Sequence, residues 1–110
     1  MKVMEISKKD WKLFREKIGS WQEEYMERLI KQYVDFLSSD EAASTKFWKM
    51  DKRIKQDKKK LGVCLELNKH EMLFDIVRLL KDGVISFDDL VDFSDELKEN
   101  VKALQQRVSN

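Results

Sequence analysis

Eight apolar residues recur along the first third of the chain at helix-face spacing: Trp11, Phe14, Ile18, Trp21, Tyr25, Leu29, Tyr33 and Phe36. Gaps of three and four place them on one side of a helix, or of two helices in nearly the same phase. Ser7 with Asp10 forms a cap signature at the start of the row, and Ser20 with Glu23 repeats it just after Gly19. The row therefore predicts helices over about 8–18 and 21–37 with a kink or tight turn between them. The unbroken stripe leaves one long helix as the alternative.

Ser38, Ser39 and Asp40 form a polar break before a third predicted helix over about 41–59, with Phe47, Met50 and Ile54 inward at spacings of three and four. Between 61 and 67, Leu61, Val63, Leu65 and Leu67 alternate with Gly62, Cys64 and Glu66. That pattern reads as a short extended stretch, either a loop packed on the helices or an edge offered to a second copy.

Asn68 with Glu71 starts a helix over about 69–82, whose Met72, Leu73, Ile76, Val77, Leu79 and Leu80 make the widest apolar face. Gly83 ends it, with Val84 placed to pack back on the last turn. Ser86 with Asp89 opens a last helix over about 87–108, in which Phe87, Leu90, Phe93 or Ser94, Leu97, Val101, Leu104 and Val108 keep the period, with Ser94 a candidate kink.

Composition narrows the fold class. The 110 residues contain no proline and three glycines, with 42% hydrophobic and 39% charged positions. A β-sandwich or barrel needs many turns rich in glycine and proline, so their scarcity favours long helices with few connections. The expectation is an all-α, single-domain, compact bundle of four to five helices, with the aromatic row packed on the 72–80 helix and the last helix.

Lone Cys64 offers no intramolecular disulfide, and Val3 and Met4 are too few for a signal-peptide core before Glu5. No stretch approaches the roughly 20 apolar residues that span a bilayer. The reading is cytosolic, with no membrane partner.

Local chemistry is thin. The segment from Asp82 to Leu90 resembles the second half of an EF-hand loop, with Gly83 at position 6 and Ile85 at position 8. Positions 1 and 3 would then be Arg78 and Leu80, which cannot ligate calcium. His70 and Cys64 are single and lack the paired spacing of zinc sites. No nucleophile elbow or phosphate-cradling glycine loop occurs, so the sequence assembles no catalytic set, metal site or cofactor site and reads as no enzyme.

Charge distribution says more. Between 46 and 60, Lys46, Lys49, Lys52, Arg53, Lys55, Lys58, Lys59 and Lys60 face Asp51 and Asp57, a net of +6. Between 82 and 99, Asp82, Asp88, Asp89, Asp92, Asp95, Glu96 and Glu99 face Lys98, a net of −6. The chain is locally polar and globally near neutral, at +1.

Three readings follow: solvated faces joined by weak screened pairs, a surface that steers a charged protein partner or a second copy, or nucleic-acid binding through the cations with Trp48 stacking. The near-zero net charge weighs against the third. Trp48, about 100° round the helix from the inward row, is either a core-edge residue with a wet indole NH or an exposed anchor among cations.

Two stretches, Trp11-Lys12-Leu13-Phe14-Arg15-Glu16-Lys17-Ile18 and Gly83 to Leu90 followed by Phe93-Ser94-Asp95-Glu96-Leu97, resemble parts of short uncharacterised all-helical cytosolic proteins of low-GC Gram-positive bacteria. The resemblance covers most of the chain and implies no catalytic motif. The functional expectation is a small non-enzymatic, cytosolic protein-interaction or regulatory domain, with Lys46, Trp48, Lys49, Lys52, Arg53 and Lys55 as partner-binding surface. A nucleic-acid-associated protein using the same basic helix is the alternative. Self-association, through 61–67 or an exposed part of the last helix, is a variant of the first.

Overall fold

The row of aromatics forms one helix, not two. In the computed structural model, which describes residues 5–108, α1 runs unbroken over Lys8–Leu37. Val3, Met4 and the side chain of Val108 lie outside the described residues. Ser7 caps α1, its hydroxyl accepting from the Asp10 backbone N–H at 3.0 Å. Gly19 and Ser20 do not break the helix, because both lie on its exposed side and a Cβ added at Gly19 would meet nothing within 4 Å. A helical glycine costs roughly 1 kcal/mol against alanine. Burial of Phe14, Ile18 and Trp21 on either side of it, in one continuous phase, outweighs that cost.

Three more α-helices follow: α2 (Ala43–Asp57), α3 (Met72–Lys81) and α4 (Asp95–Val108), with 3-10 turns at Lys69–Glu71 and Phe87–Leu90. Each is shorter than its sequence pattern implied. The predicted 69–82 helix opens as the 3-10 turn, with the Asn68 side chain accepting from His70 N–H at 2.9 Å. The predicted 87–108 helix is two elements, because Ser94 is a helix start and not a kink. Its hydroxyl accepts from Leu97 N–H at 3.1 Å, the arrangement of an N-cap. The 61–67 segment forms no strand. It makes a turn in which the N–H groups of Val63 and Cys64 both reach the Lys60 carbonyl at 3.0 Å, then runs as an irregular loop.

One core joins the first half of α1 to α3, α4 and the segments between them. Phe14, Ile18 and Trp21 meet Met72, Ile76, Leu79, Leu90, Phe93, Leu97 and Val101 there. Trp21 lies 6.1 Å from Phe14 and 6.2 Å from Phe93, ring centre to ring centre.

The end of α3 is a Schellman turn. Gly83 takes φ +72°, Val84 N–H reaches back to the Leu79 carbonyl at 2.9 Å, and Gly83 N–H to that of Leu80 at 3.2 Å. Arg28 of α1 donates to the Gly83 and Val84 carbonyls at 2.8 and 3.2 Å, pinning that turn to the middle of α1. Ser86 and Asp89 then close a capping box on the next 3-10 turn.

Two long-range bonds set where the chain ends meet. Asp10 is 4% exposed, and its carboxylate accepts from Ser94 N–H at 3.0 Å and from the Ser94 hydroxyl at 2.6 Å. The residue that completes a cap signature locally is thus spent on the start of α4, 84 positions away. Farther along α1, Gln22 donates to the Leu61 carbonyl at 2.9 Å, and the Tyr25 ring lies flush against Gly62.

A Cβ at Gly62 would sit 2.3 Å from Tyr25 Cδ2. Gly62→Ala is therefore expected to displace the ring and destabilise the fold by about 1–3 kcal/mol, read as a lower urea midpoint. A midpoint equal to that of the native chain would show that the loop moves aside freely.

Candidate functional site

Beyond Arg28, α1 leaves the core and meets α2 instead. Little of α2 is buried: Met50 and Asp57 are, while most of its other side chains face water. What holds it is polar. The Tyr33 hydroxyl donates to an Asp57 carboxylate oxygen, and Arg53 Nε donates to the same oxygen at 2.9 Å. Arg53 also reaches Gln32 Oε1 at 2.6 Å and lies 5.5 Å from the centre of the Tyr33 ring. Burial first, then the bond to Asp57 and its charge, push the Tyr33 hydroxyl up to about 12, so it stays a donor.

This network decides which side of α2 faces out. Phe47 and Ile54 were expected inward with Met50, but Phe47 is 66% exposed and Ile54 is exposed beside it. The buried arc of the helix centres on Met50 and Asp57, some 60–80° round from Phe47 at 100° per residue. Trp48 is 67% exposed and packs edge-on against Phe47, ring centres 5.1 Å apart. Of the two readings of Trp48, exposure among cations is the one the structure has.

The other expected surface residues divide. Lys52 is exposed and has no ion-pair partner among the described residues. Lys46 is half-buried. Lys49 pairs with Glu41 at 3.3 Å and Lys55 with Asp51 at 2.9 Å, both across exposed side chains where such pairs contribute little. Arg53 is turned to Asp57 and Gln32, so its guanidinium holds the helix in place rather than facing outward.

Sequence reasoning missed the apolar part of this surface. Six of the nine large apolar residues exposed among the described residues fall between 30 and 54: Ile30, Val34, Leu37, Phe47, Trp48 and Ile54. Ile30, Val34 and Leu37 lie on one stripe of α1, and Phe47 and Ile54 on one stripe of α2.

One residue from each stripe, Ile30 and Ile54, lines an open groove of about 320 Å³ together with Met26, Leu29 and Tyr33 of α1, Asp57 and Lys58 along α2, and Val63. The 3–4 spacing of Met26, Ile30, Val34 and Leu37 was a signal for this second stripe, beside the aromatic row and turned away from it. Exposed apolar surface gathered this way marks interaction sites in folded proteins.

Elsewhere the chemistry is sparse. Among the described residues no three His, Cys, Asp or Glu side chains are grouped to hold a metal ion, and no helix is long and apolar enough to cross a membrane. No family model, curated protein or solved structure matches the chain.

One buried titratable group remains. Asp75 is 7% exposed, and one of its carboxylate oxygens has no hydrogen-bond partner. Burial, helped by the charge of Glu71 and opposed by Arg78, raises its carboxyl to about 6.

Two substitutions check these polar groups. Tyr33→Phe leaves Asp57 with Arg53 alone and is expected to cost about 1 kcal/mol in urea unfolding, and an unchanged midpoint would remove the bond from the account of α2. In the unfolded chain Asp75 ionises near pH 3.8, while the folded group keeps its proton to about pH 6. It therefore costs stability progressively across that window and fully above it, by up to about 3 kcal/mol. Asp75→Asn is expected to gain on the native chain as pH rises from 4 to 7, and a difference that stays flat would place the carboxyl in water.

Proposed function

We propose that this chain is a non-enzymatic, cytosolic protein-interaction or regulatory domain that engages its partner through the outer face of α2. The observation that carries the reading is the Phe47–Trp48 pair, two aromatic rings packed on each other and each about two-thirds exposed on a helix rich in lysine. A folded chain does not gain from holding such rings in water, whereas a partner that covers them gains their full area.

Aromatic anchors ringed by charge are the usual composition of an interface centre, with the charges governing encounter and choice of partner. Lys52, exposed one turn from Trp48 along α2, supplies such a charge. Arg53 belongs to the support.

Nucleic acid is the second reading, favoured by the same exposed Trp48 among lysines. The even charge balance and the acidic segment at 82–99 oppose it, since a nucleic acid would have to approach a molecule whose other half repels it.

Pull-down from source-cell lysate, with native chain and Phe47→Ala/Trp48→Ala as baits, separates these readings. A specific protein held by the native chain and lost by the variant is expected, with helical content by circular dichroism unchanged. Capture that ignores the double substitution would remove this surface from the function. A salt-sensitive mobility shift with DNA or RNA, lost in the same variant, would transfer the surface to the second reading.

A further inference from the structure

The opposite charges of the two segments are also separated in space. Asp92 lies 3.5 Å from Lys17 and Ser94 is bonded to Asp10, so the acidic segment reaches the N-terminal part of α1 at residues 92–94. Phe47 and Trp48 lie in the opening turns of α2, which starts just beyond the other end of α1. From Lys17 to Leu37 the helix axis covers about 30 Å, in a molecule 55 × 30 × 23 Å in extent. Within the chain the two segments meet through Lys60 and Asp82, 3.8 Å apart. Lys17 and Lys98 pair Asp92 and Asp95, and Glu41, Asp51 and Asp57 pair Lys49, Lys55 and Arg53. Among the described residues Lys46, Lys52, Lys58 and Lys59 in one segment and Asp88, Glu96 and Glu99 in the other have no ion-pair partner.

The acidic end has its own apolar point. Val91 is 68% exposed, between Asp88, Asp89 and Asp92. A basic surface with two aromatic rings and an acidic surface with an exposed valine are complementary in sign and in character.

Taking as its premise that α2 is the binding face, we propose that its occupant is a second copy of this chain, in an antiparallel two-fold dimer. Each protomer's Phe47–Trp48 surface covers the Asp88–Asp92 surface of the other. Symmetric contact of α2 on α2 would set lysines against lysines, and acidic end on acidic end would set carboxylates against carboxylates. The antiparallel arrangement satisfies both patches of both copies, and it closes, because the same contact occurs twice about the axis. A standard interface takes about 800 Å² per partner, one tenth of the 8089 Å² surface.

Charge reversal tests this on the full chain alone. One variant carries Lys49→Glu, Lys52→Glu and Lys55→Glu; the other carries Asp88→Lys, Asp92→Lys and Glu96→Lys. Light scattering after size exclusion at low salt is expected to give twice the 13.2 kDa chain mass for the native protein. Each variant alone is expected at single mass, and their equimolar mixture at double mass again, since each then presents the charge that the other lost.

Raising salt from 50 to 500 mM is expected to weaken the native dimer at least about tenfold. Circular dichroism establishes that the variants are folded, and native Trp48 fluorescence, with Trp11→Phe and Trp21→Phe as background, follows the dimer independently.

A native chain that stays at single mass at 100 μM overturns the proposal, as do dimers that survive either reversal, a mixture that does not recover, or assemblies that grow without limit. A monomer that still captures a partner through Trp48 overturns the dimer and leaves the interaction reading standing. A charge-dependent dimer beside capture indifferent to Phe47 and Trp48 does the reverse.

Discussion

A thirty-residue helix is about 45 Å long, and the core that anchors α1 occupies less than half of that. Phe14, Ile18 and Trp21 are sealed against α3 and α4, while the turns from Ile30 to Leu37 have only α2 and the water beside it. Everything particular to this molecule follows from that mismatch between helix length and core size. The first half of α1 organises the fold. The second half carries α2 away from it and leaves two apolar stripes with insufficient cover.

Polar bonds mark the boundary of each half. At one end Asp10 and Ser94 join the starts of α1 and α4, a buried carboxylate matched by two donors, so the charge is held without stranding an acceptor. At the junction Arg28 pins the turn after α3, and Gln22 and Tyr25 hold the loop at Leu61 and Gly62. Beyond it the support is Met50, Leu29 and the Tyr33–Asp57–Arg53–Gln32 network. With so little apolar burial, α2 is expected to open at lower free energy than α3 or α4.

Signals confined to a few residues were legible in the sequence. Gly83 with Val84, Ser86 with Asp89, and the wide face of α3 all act through bonds or periodicity within one or two turns, and the structure repeats them. What depended on a distant partner was not. Asp10 carries a local cap signature, yet its side chain belongs to Ser94, which no pattern near either residue reveals. The break at Gly19-Ser20 was overruled because the buried residues on both sides of it face one core. Phe47 and Ile54 looked inward because apolar periodicity assigns the inner face to carbon. The inner face of α2 is set instead by Asp57, a charge that sequence alone places in water.

The rotation of α2 is the point at which the architecture bears on the proposed interaction surface. Turning the helix by some 60° would bring Phe47 toward α1 and cover apolar area worth about 25 cal/mol per Å². It would also pull Asp57 from Tyr33 and Arg53 from Gln32, the two bonds that cross to α1, at a cost of the same order. The polar network therefore acts as a key that admits one rotation, and in that rotation the aromatic pair faces outward. A helix held so, with its oily residues displayed by a charged lock, is difficult to account for as packing alone. It is readily accounted for as a surface kept ready for something to cover it.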